Sequence, residues 1–467
     1  MLHARKQAAK ILVAQQKEIL KSLFGTTGYA TEWEAFILDL PGKKLKGLSQ
    51  RAQFVYFLYL YLLEYAQKHD IPITHNQLND RKAVCLAVLA ELIICCQYYE
   101  NYIFDGKNGV TTPDLIRKYL NAAANLKSFI FQYIRERFTD EFGTDERVRA
   151  GVDIIFNLTN VGQQMEADYN HYNTFKKGLK QVPDMGPEIE NHIDYESLKS
   201  VKKILLKNFP VDHSKSIFFE TYLKRLNLIS AQLFVQFAKM LVDLIGIPTE
   251  KCRSIFKFAN CFGYFAQLIN DNIDVVELPT GSKPPQDAFS DFRNKNITLP
   301  IFFHLVKAEQ SWINTRSAIR TLMESNHADG FIFEPKLIQI EGRYFKLIKP
   351  EFKKRIEKIL IPIIRDLTAP RILNVCKYAS RQLETDLKVT MLLGDMLTIA
   401  EENQFYYKIK IYKVGQLIEK KVSISTNIYS QLLHKWINLS TRKKNTDDMA
   451  EHKGIPNNST LIPAPNI

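Results

Sequence analysis

Glycine and proline are scarce in this 467-residue chain, at 19 and 18 residues, and they stand between apolar runs rather than inside them. Such a composition excludes collagen-like and low-complexity classes and leaves room for long uninterrupted elements. Alternating apolar and polar residues are nearly missing, apart from candidate hairpins at 330–347 and 406–425. A fold built on sheets is therefore not expected. The six cysteines (Cys85, Cys95, Cys96, Cys252, Cys261 and Cys376) are scattered through apolar stretches without paired metal spacing. They read as buried reduced thiols, which excludes a disulfide framework and a zinc site. No apolar run reads as long enough to cross a membrane, and Lys and Gln interrupt the N-terminal stretch where a signal peptide would need an apolar core. The expected localisation is cytoplasmic.

What is present is helical spacing from end to end, in a chain that is 46% hydrophobic and 24% charged. That balance supports a full core and predicts an all-α fold. The organisation reads as a basic N-terminal helix over 1–24 and a helical domain over 25–400. A polar insertion at about 170–215 carries Pro183, Gly186 and Pro187 as breakers. A C-terminal extension at 401–440 and a disordered tail at 441–467 follow. The net charge of +13 suits anionic partners. Its basic residues run along helices without interleaved aromatics, so nucleic acid is not expected. Membrane contact by the N-terminal helix is compatible with the pattern but not required.

The chemistry concentrates in Gln267-Leu-Ile-Asn-Asp-Asn-Ile-Asp274, at the end of an apolar helical run, and in Ser290-Asp-Phe-Arg-Asn-Lys-Asn-Ile-Thr-Leu-Pro300 after it. On a continuing helix Asn270, Asp271 and Asp274 share a face. Oxygen ligands so arranged suit Mg²⁺, which binds through one or two carboxylates together with phosphates and water. With basic residues alongside, the pattern is a site for a diphosphate.

Several segments, in order, resemble the all-trans isoprenyl diphosphate synthases. Gly42-Lys-Lys-Leu-Lys46 is similar to their Gly-Lys-Arg-x-Arg segment, and Ala90-Glu-Leu-Ile93 to the start of the helix bearing the first Asp-Asp-x-x-Asp motif. Gly162-Gln163, with Glu166, resembles Gly-Gln-x-x-Asp. Tyr222–Phe234 resembles the helix with a Lys-Thr pair, Gly263…Gln267…Asp274 the second aspartate-rich helix, and Asp291…Thr298-Leu-Pro300 the loop after it. The resemblance implies a helical bundle around a central active-site cavity and a homodimer or heterodimer. It also implies Mg²⁺-dependent ionisation of an allylic prenyl diphosphate, with isopentenyl diphosphate as second substrate. It assigns catalytic roles to Asp105, Asp271, Asp274 and Gln267, and substrate contacts to Lys43, Lys44, Gln163 and Lys295. The metal positions would be Asn101, Asp105, Asn270, Asp271 and Asp274.

The departures are chemical. Asn101 and Tyr102 stand where two carboxylates are expected, Asn270 replaces a third, and the arginine pair after the first motif is missing. The Lys-Thr pair reads Ile229-Ser230, and the loop lysine falls on Asn296. An amide lacks the charge of a carboxylate, so each exchange weakens metal binding. Asn270-Asp-x-x-Asp274 with Glu277 also loosely resembles the metal motif of class I terpene synthases. Three activities follow as alternatives: prenyl transfer, a terpene-synthase-like cyclisation, or a catalytically silent synthase subunit.

Overall fold

A computed structural model describes residues 50–73, 77–105, 112–274, 290–310, 318–325, 328–340 and 343–384. All of them lie within one compact unit, Met1–Tyr412. Long helices dominate, as the scarcity of breakers predicts. In chain order they are α1 (Gln50–Lys68), α2 (Gln77–Phe104), α3 (Pro113–Phe138) and α4 (Thr144–Tyr169). After three short helices, α5 (Tyr172–Lys177), α6 (Pro187–Glu190) and α7 (Tyr195–Leu205), come α8 (His213–Leu226), α9 (Gln232–Ile245) and α10 (Arg253–Asp274). The C-terminal part adds α11 (Ser290–Arg293), α12 (Leu299–Gln310), α13 (Ala318–Glu324), α14 (Ala328–Ile332), α15 (Pro350–Ile363) and α16 (Ala369–Ser380).

Local chemistry sets the ends of these helices. Thr112 accepts from the Leu115 amide at the start of α3, with Pro113 at the first helical position, where its missing N–H costs nothing. Asp140 accepts from the Phe142 and Thr144 amides at 3.0 Å each, fixing the turn into α4. The same carboxylate pairs with Lys82 of α2. These bonds hold it below the usual carboxylate range although burial works the other way.

α2 packs between α1 and α3, α4 lies against α3, α8 and α9, and α10 lies against α9 and α16. Their facing sides form one apolar core that includes Phe54, Leu92, Tyr133, Phe219 and Tyr264. Between α8 and α9 the chain widens into a π-helical segment, Asn227–Ala231. Two helices cross it closely. A Cβ at Gly263 of α10 would lie 2.3 Å from the Ala231 Cα, and one at Gly162 of α4 would lie 2.4 Å from the Ile229 Cγ2. Glycine is what lets the crossings close.

The polar insertion carries the short helices α5, α6 and α7 between non-helical stretches. Asp194 caps α7 through the Glu196 and Ser197 amides at 3.1 Å each, and Lys202 pairs with Glu220 of α8 at 2.7 Å. Lys215 donates to the Phe175 carbonyl at 2.7 Å and sits 3.7 Å from the Phe175 ring centre. The hairpin expected at 330–347 appears as β1 (Phe333–Ile340) paired antiparallel with β2 (Arg343–Ile348). Pro335 falls where the register is broken between Phe333 and Leu337, a position that tolerates a residue without an N–H. The second expected hairpin, at 406–425, lies outside the described residues. The expectation that no segment reaches membrane-spanning length needs correction. Asn79–Phe104 and His213–Ile245 do so by length and hydropathy, and 72% and 78% of their apolar windows are buried inside the bundle. They are core helices whose apolar surface is spent on the fold.

Candidate functional site

The polar residues singled out in the sequence gather where the C-terminal ends of α2, α4 and α10 meet α8 and the segment from α11 to α12. Asn101, in the last turn of α2, accepts from the Gln163 side-chain amide of α4 at 2.5 Å. Asp105, just beyond α2, accepts from the Asn294 side chain at 3.3 Å, and its carbonyl accepts from the Arg293 guanidinium. One turn after Gln163, Glu166 accepts from the Asn296 side chain at 2.7 Å. The segment that carries Asn294 and Asn296 is fastened to the end of α4: the Tyr172 amide donates to the Lys295 carbonyl and the Ile297 amide to the Asn170 carbonyl, each at 2.9 Å. Lys295 holds a left-handed backbone with φ 57°, which costs a lysine free energy and keeps the turn tight.

Glu166 also forms an ion pair with Arg225 of α8, at 2.5 Å from Nη1 to Oε2. The other terminal nitrogen of Arg225 lies 3.9 Å from Asp271 Oδ2 on α10. Asp271 accepts from the Tyr222 hydroxyl at 2.6 Å and from the Gln267 side chain at 2.9 Å. The side chains of Arg225 and Asp271 are each only 4% exposed. Burial opposes the Arg225 charge, but Glu166 and Asp271 outweigh it and the guanidinium stays protonated. Burial, and then the Asp271 charge, push the Tyr222 hydroxyl far above its ordinary range, so it remains a donor.

The result is three sets of polar contacts: Asn101 with Gln163, Asp105 with Arg293 and Asn294, and Glu166 with Asn296 and, through Arg225, with Asp271, Tyr222 and Gln267. Five polar atoms of their surroundings are buried without a hydrogen-bond partner: Asn170 Oδ1 and Nδ2, Ser290 Oγ, Thr298 Oγ1 and Arg225 Nε. Buried polar groups are nearly always satisfied, so these are places for water or a ligand. Four carboxylates (Asp105, Glu166, Asp271 and Asp291) lie near two arginines (Arg225 and Arg293) in this region.

The structure thus pairs Asn101 with Gln163, sets Asp105 against Asn294, and links Gln267 and Asp271 to Glu166 through Arg225. Lys295 enters through its backbone, and Asn270 is an exposed residue of α10. Asp274 is the last residue of α10, and its side chain is not described; Lys43 and Lys44 lie outside the described residues. Arg225 was missed in the sequence, although one signal existed. It is an arginine in an apolar run, one turn before Ile229 on the same helix, where the resemblance expects a lysine.

For a divalent cation the donors have the right chemistry, since Mg²⁺ takes oxygen ligands and uses one or two carboxylates. Asp105 just beyond α2 and Asp271 on α10 are carboxylates of that kind. Among the described residues no group of three or more His, Cys, Asp or Glu side chains is placed to hold a metal ion.

No family model matches the sequence, and no curated protein is significantly similar to it. Solved structures do match. A polyprenyl synthase from Caulobacter crescentus, solved with calcium and isoprenyl diphosphate, superposes with a TM-score of 0.55 at 14% identity, over 86% of this chain and 97% of that one. A geranylgeranyl pyrophosphate synthase from Corynebacterium glutamicum, solved with isoprenyl diphosphate and magnesium, gives 0.55 at 13% identity over 85% and 99%. One from Pyrococcus horikoshii gives 0.51 at 15% over 84% and 98%. Identity this low speaks to architecture, and the long-helix bundle, the crossings at Gly162 and Gly263 and the extent of the match agree: this chain has the all-α fold of the isoprenyl diphosphate synthases.

Proposed function

We propose that this chain binds an allylic prenyl diphosphate with Mg²⁺ where α2, α4 and α10 converge, and ionises it for prenyl transfer in isoprenoid biosynthesis. Isopentenyl diphosphate would be the second substrate. The observation that carries this reading is the ion-paired group Glu166–Arg225–Asp271, with the Asn101–Gln163 and Asp105–Asn294 contacts at the neighbouring helix ends. Its charge balance also supports a cation. Four carboxylates against two arginines leave the region negative, and a diphosphate is more negative still. Mg²⁺, when bound, neutralises the leaving diphosphate, usually the largest electrostatic contribution to such a step. Asp105 and Asp274 are its first candidates as ligands. Gln267 and Tyr222 fix the Asp271 carboxylate so that it faces the site without turning. Lys43 and Lys44, from the segment before α1, would meet the second diphosphate. Tyr98, Tyr99, Tyr102 and Tyr119 form an aromatic cluster on α2 and α3, with ring centres 5.7 to 6.3 Å apart. Such a surface can take an apolar tail and face an allylic cation.

A second reading has its own observation. Arg225 already neutralises Glu166 and Asp271, and Asn101 and Asn270 carry no charge, which favours a silent subunit partnered with an active synthase. Incubation with Mg²⁺ and a panel of allylic diphosphates, with and without isopentenyl diphosphate, separates the readings. Longer linear diphosphates establish prenyl transfer, hydrocarbons establish cyclisation, and no pyrophosphate above an Asp271/Asp274 double-alanine control establishes the silent subunit. Asp274→Ala is expected to abolish Mg²⁺-dependent binding of a prenyl diphosphate, measured by calorimetry. Binding as tight as the parent's would make Asp274 structural. We place the protein in the cytoplasm as a homodimer or heterodimer. Since α2 and α8–α9 are spent on the core, the dimer surface would draw on remaining apolar exposure such as Phe104 and Leu120.

A further inference from the structure

We infer that Arg293 contacts the diphosphate of the substrate, through a guanidinium that makes no ion pair among the described residues, a role that rests on the prenyl diphosphate reading. The two arginines of the region are not equivalent. Arg225 is buried and shared between Glu166 and Asp271, so its charge is already committed. Arg293 is half-buried on α11, and among the described residues its guanidinium makes one hydrogen bond, to the Asp105 carbonyl. A carbonyl accepts that bond but supplies no full negative charge. The guanidinium keeps further N–H donors in a planar fork that meets phosphate oxygens in pairs.

The neighbouring Asn294 donates from its side chain to the Asp105 carboxylate at 3.3 Å. Arg293 therefore stands at the end of α2, beside a carboxylate that is a first candidate to hold Mg²⁺. A diphosphate suits that pair, because its oxygens can bind a metal ion and accept from a guanidinium at once. The backbone that carries Arg293 is fixed on both sides. The amides of Asn294, Lys295 and Asn296 donate to the Ser290, Phe292 and Asp291 carbonyls at 2.9, 3.2 and 2.8 Å. The Phe292 side chain is fully buried and meets Phe352 of α15 with ring centres 6.5 Å apart. Beyond the turn, the Asn296 side chain is tied to Glu166 of α4. A cation on such a turn is oriented before an anion arrives, as effective electrostatic stabilisation requires. The competing role is that of a helix cap, since a basic side chain near the last carbonyls of a helix is stabilising by itself. Capping uses a single donor and has no need of the remaining fork.

Inorganic pyrophosphate in Mg²⁺, titrated by calorimetry into the full-length protein, reads this contact without turnover. Arg293→Met and Arg293→Gln are both expected to weaken binding roughly tenfold or more, the loss of a hydrogen bond between charged groups. Arg293→Lys keeps the charge but not the fork and should fall between them and the parent. Glutamine separates the two roles, because it retains a donor for the Asp105 carbonyl and carries no charge. Arg293→Gln binding pyrophosphate as tightly as the parent makes Arg293 a helix cap and overturns the inference, whether or not Arg293→Met folds. If the parent binds pyrophosphate and Arg293→Gln binds it equally, the inference falls alone. If the parent binds none in Mg²⁺, the inference and the proposed function fall together.

Discussion

At the residue scale, Gly263 and Gly162 differ in what an added methyl group would meet. At Gly263 the obstacle is the Ala231 backbone at 2.3 Å, which cannot swing aside. At Gly162 the nearest atom is the Ile229 Cγ2 at 2.4 Å, a methyl branch with little rotamer freedom, and the nearest backbone atom is the Ile229 nitrogen at 3.2 Å. Overpacking typically costs about 1–3 kcal/mol and more where backbone must move. Gly263→Ala should therefore lose roughly 3 kcal/mol or more, and Gly162→Ala about 1–2 kcal/mol. Urea unfolding of both variants checks the order, and equal losses would mean that the π-helical segment yields as a unit. The spacing of these glycines was visible in the sequence as part of the resemblance. That their lack of a side chain serves the crossings of α4 and α10 with one segment is visible only once the helices are packed.

The element scale is decided by a few buried polar contacts between helices. Lys82 at the start of α2 and Asp140 in the turn before α4 form an ion pair whose side chains are 5% and 13% exposed. Removing one partner of such a pair strands the other, at a cost of roughly 3–5 kcal/mol. Lys82→Met is expected near 3 kcal/mol, the lower end, because Thr144 and two backbone amides still satisfy Asp140. A thermal or urea titration that finds no loss would show that the pair is solvated in solution. The same logic explains how the polar insertion at 170–215 holds its short helices α5–α7 against the bundle. Its breakers are genuine, and its charges look solvent-facing in sequence, yet Lys202, Lys215 and Glu190 each find a partner on or beside the bundle.

For the molecule as a whole, His304 on α12 makes stability depend on pH. Burial, and then the nearby Lys307, depress its pKa from 6.5 to about 4. The folded state thus favours the neutral ring more than the unfolded state does. That contribution is complete above about 6.5, declines as the pH falls below it, and is lost once the pH passes about 4. The melting temperature should fall between those values, and His304→Leu should flatten the slope. An unchanged slope would assign acid sensitivity to other groups. At this scale also lies the assembly. Sedimentation of the parent at micromolar concentration should show a dimer, and a stable monomer would contradict the expectation.

The sequence alone determined the all-α class, because helical periodicity and the scarcity of Gly and Pro are local properties of the chain. It also singled out Gln163, Glu166, Gln267, Asp271 and Asn296 as candidates, since they sit in short segments with recognisable order. The tertiary structure decided how these residues pair. Asn101 and Gln163 are 62 positions apart, and Arg225 meets one carboxylate on α4 and another on α10, relations that no local pattern encodes. It decided, too, that two helices apolar enough to span a membrane serve as core, because burial depends on what packs against a helix and not on its own composition.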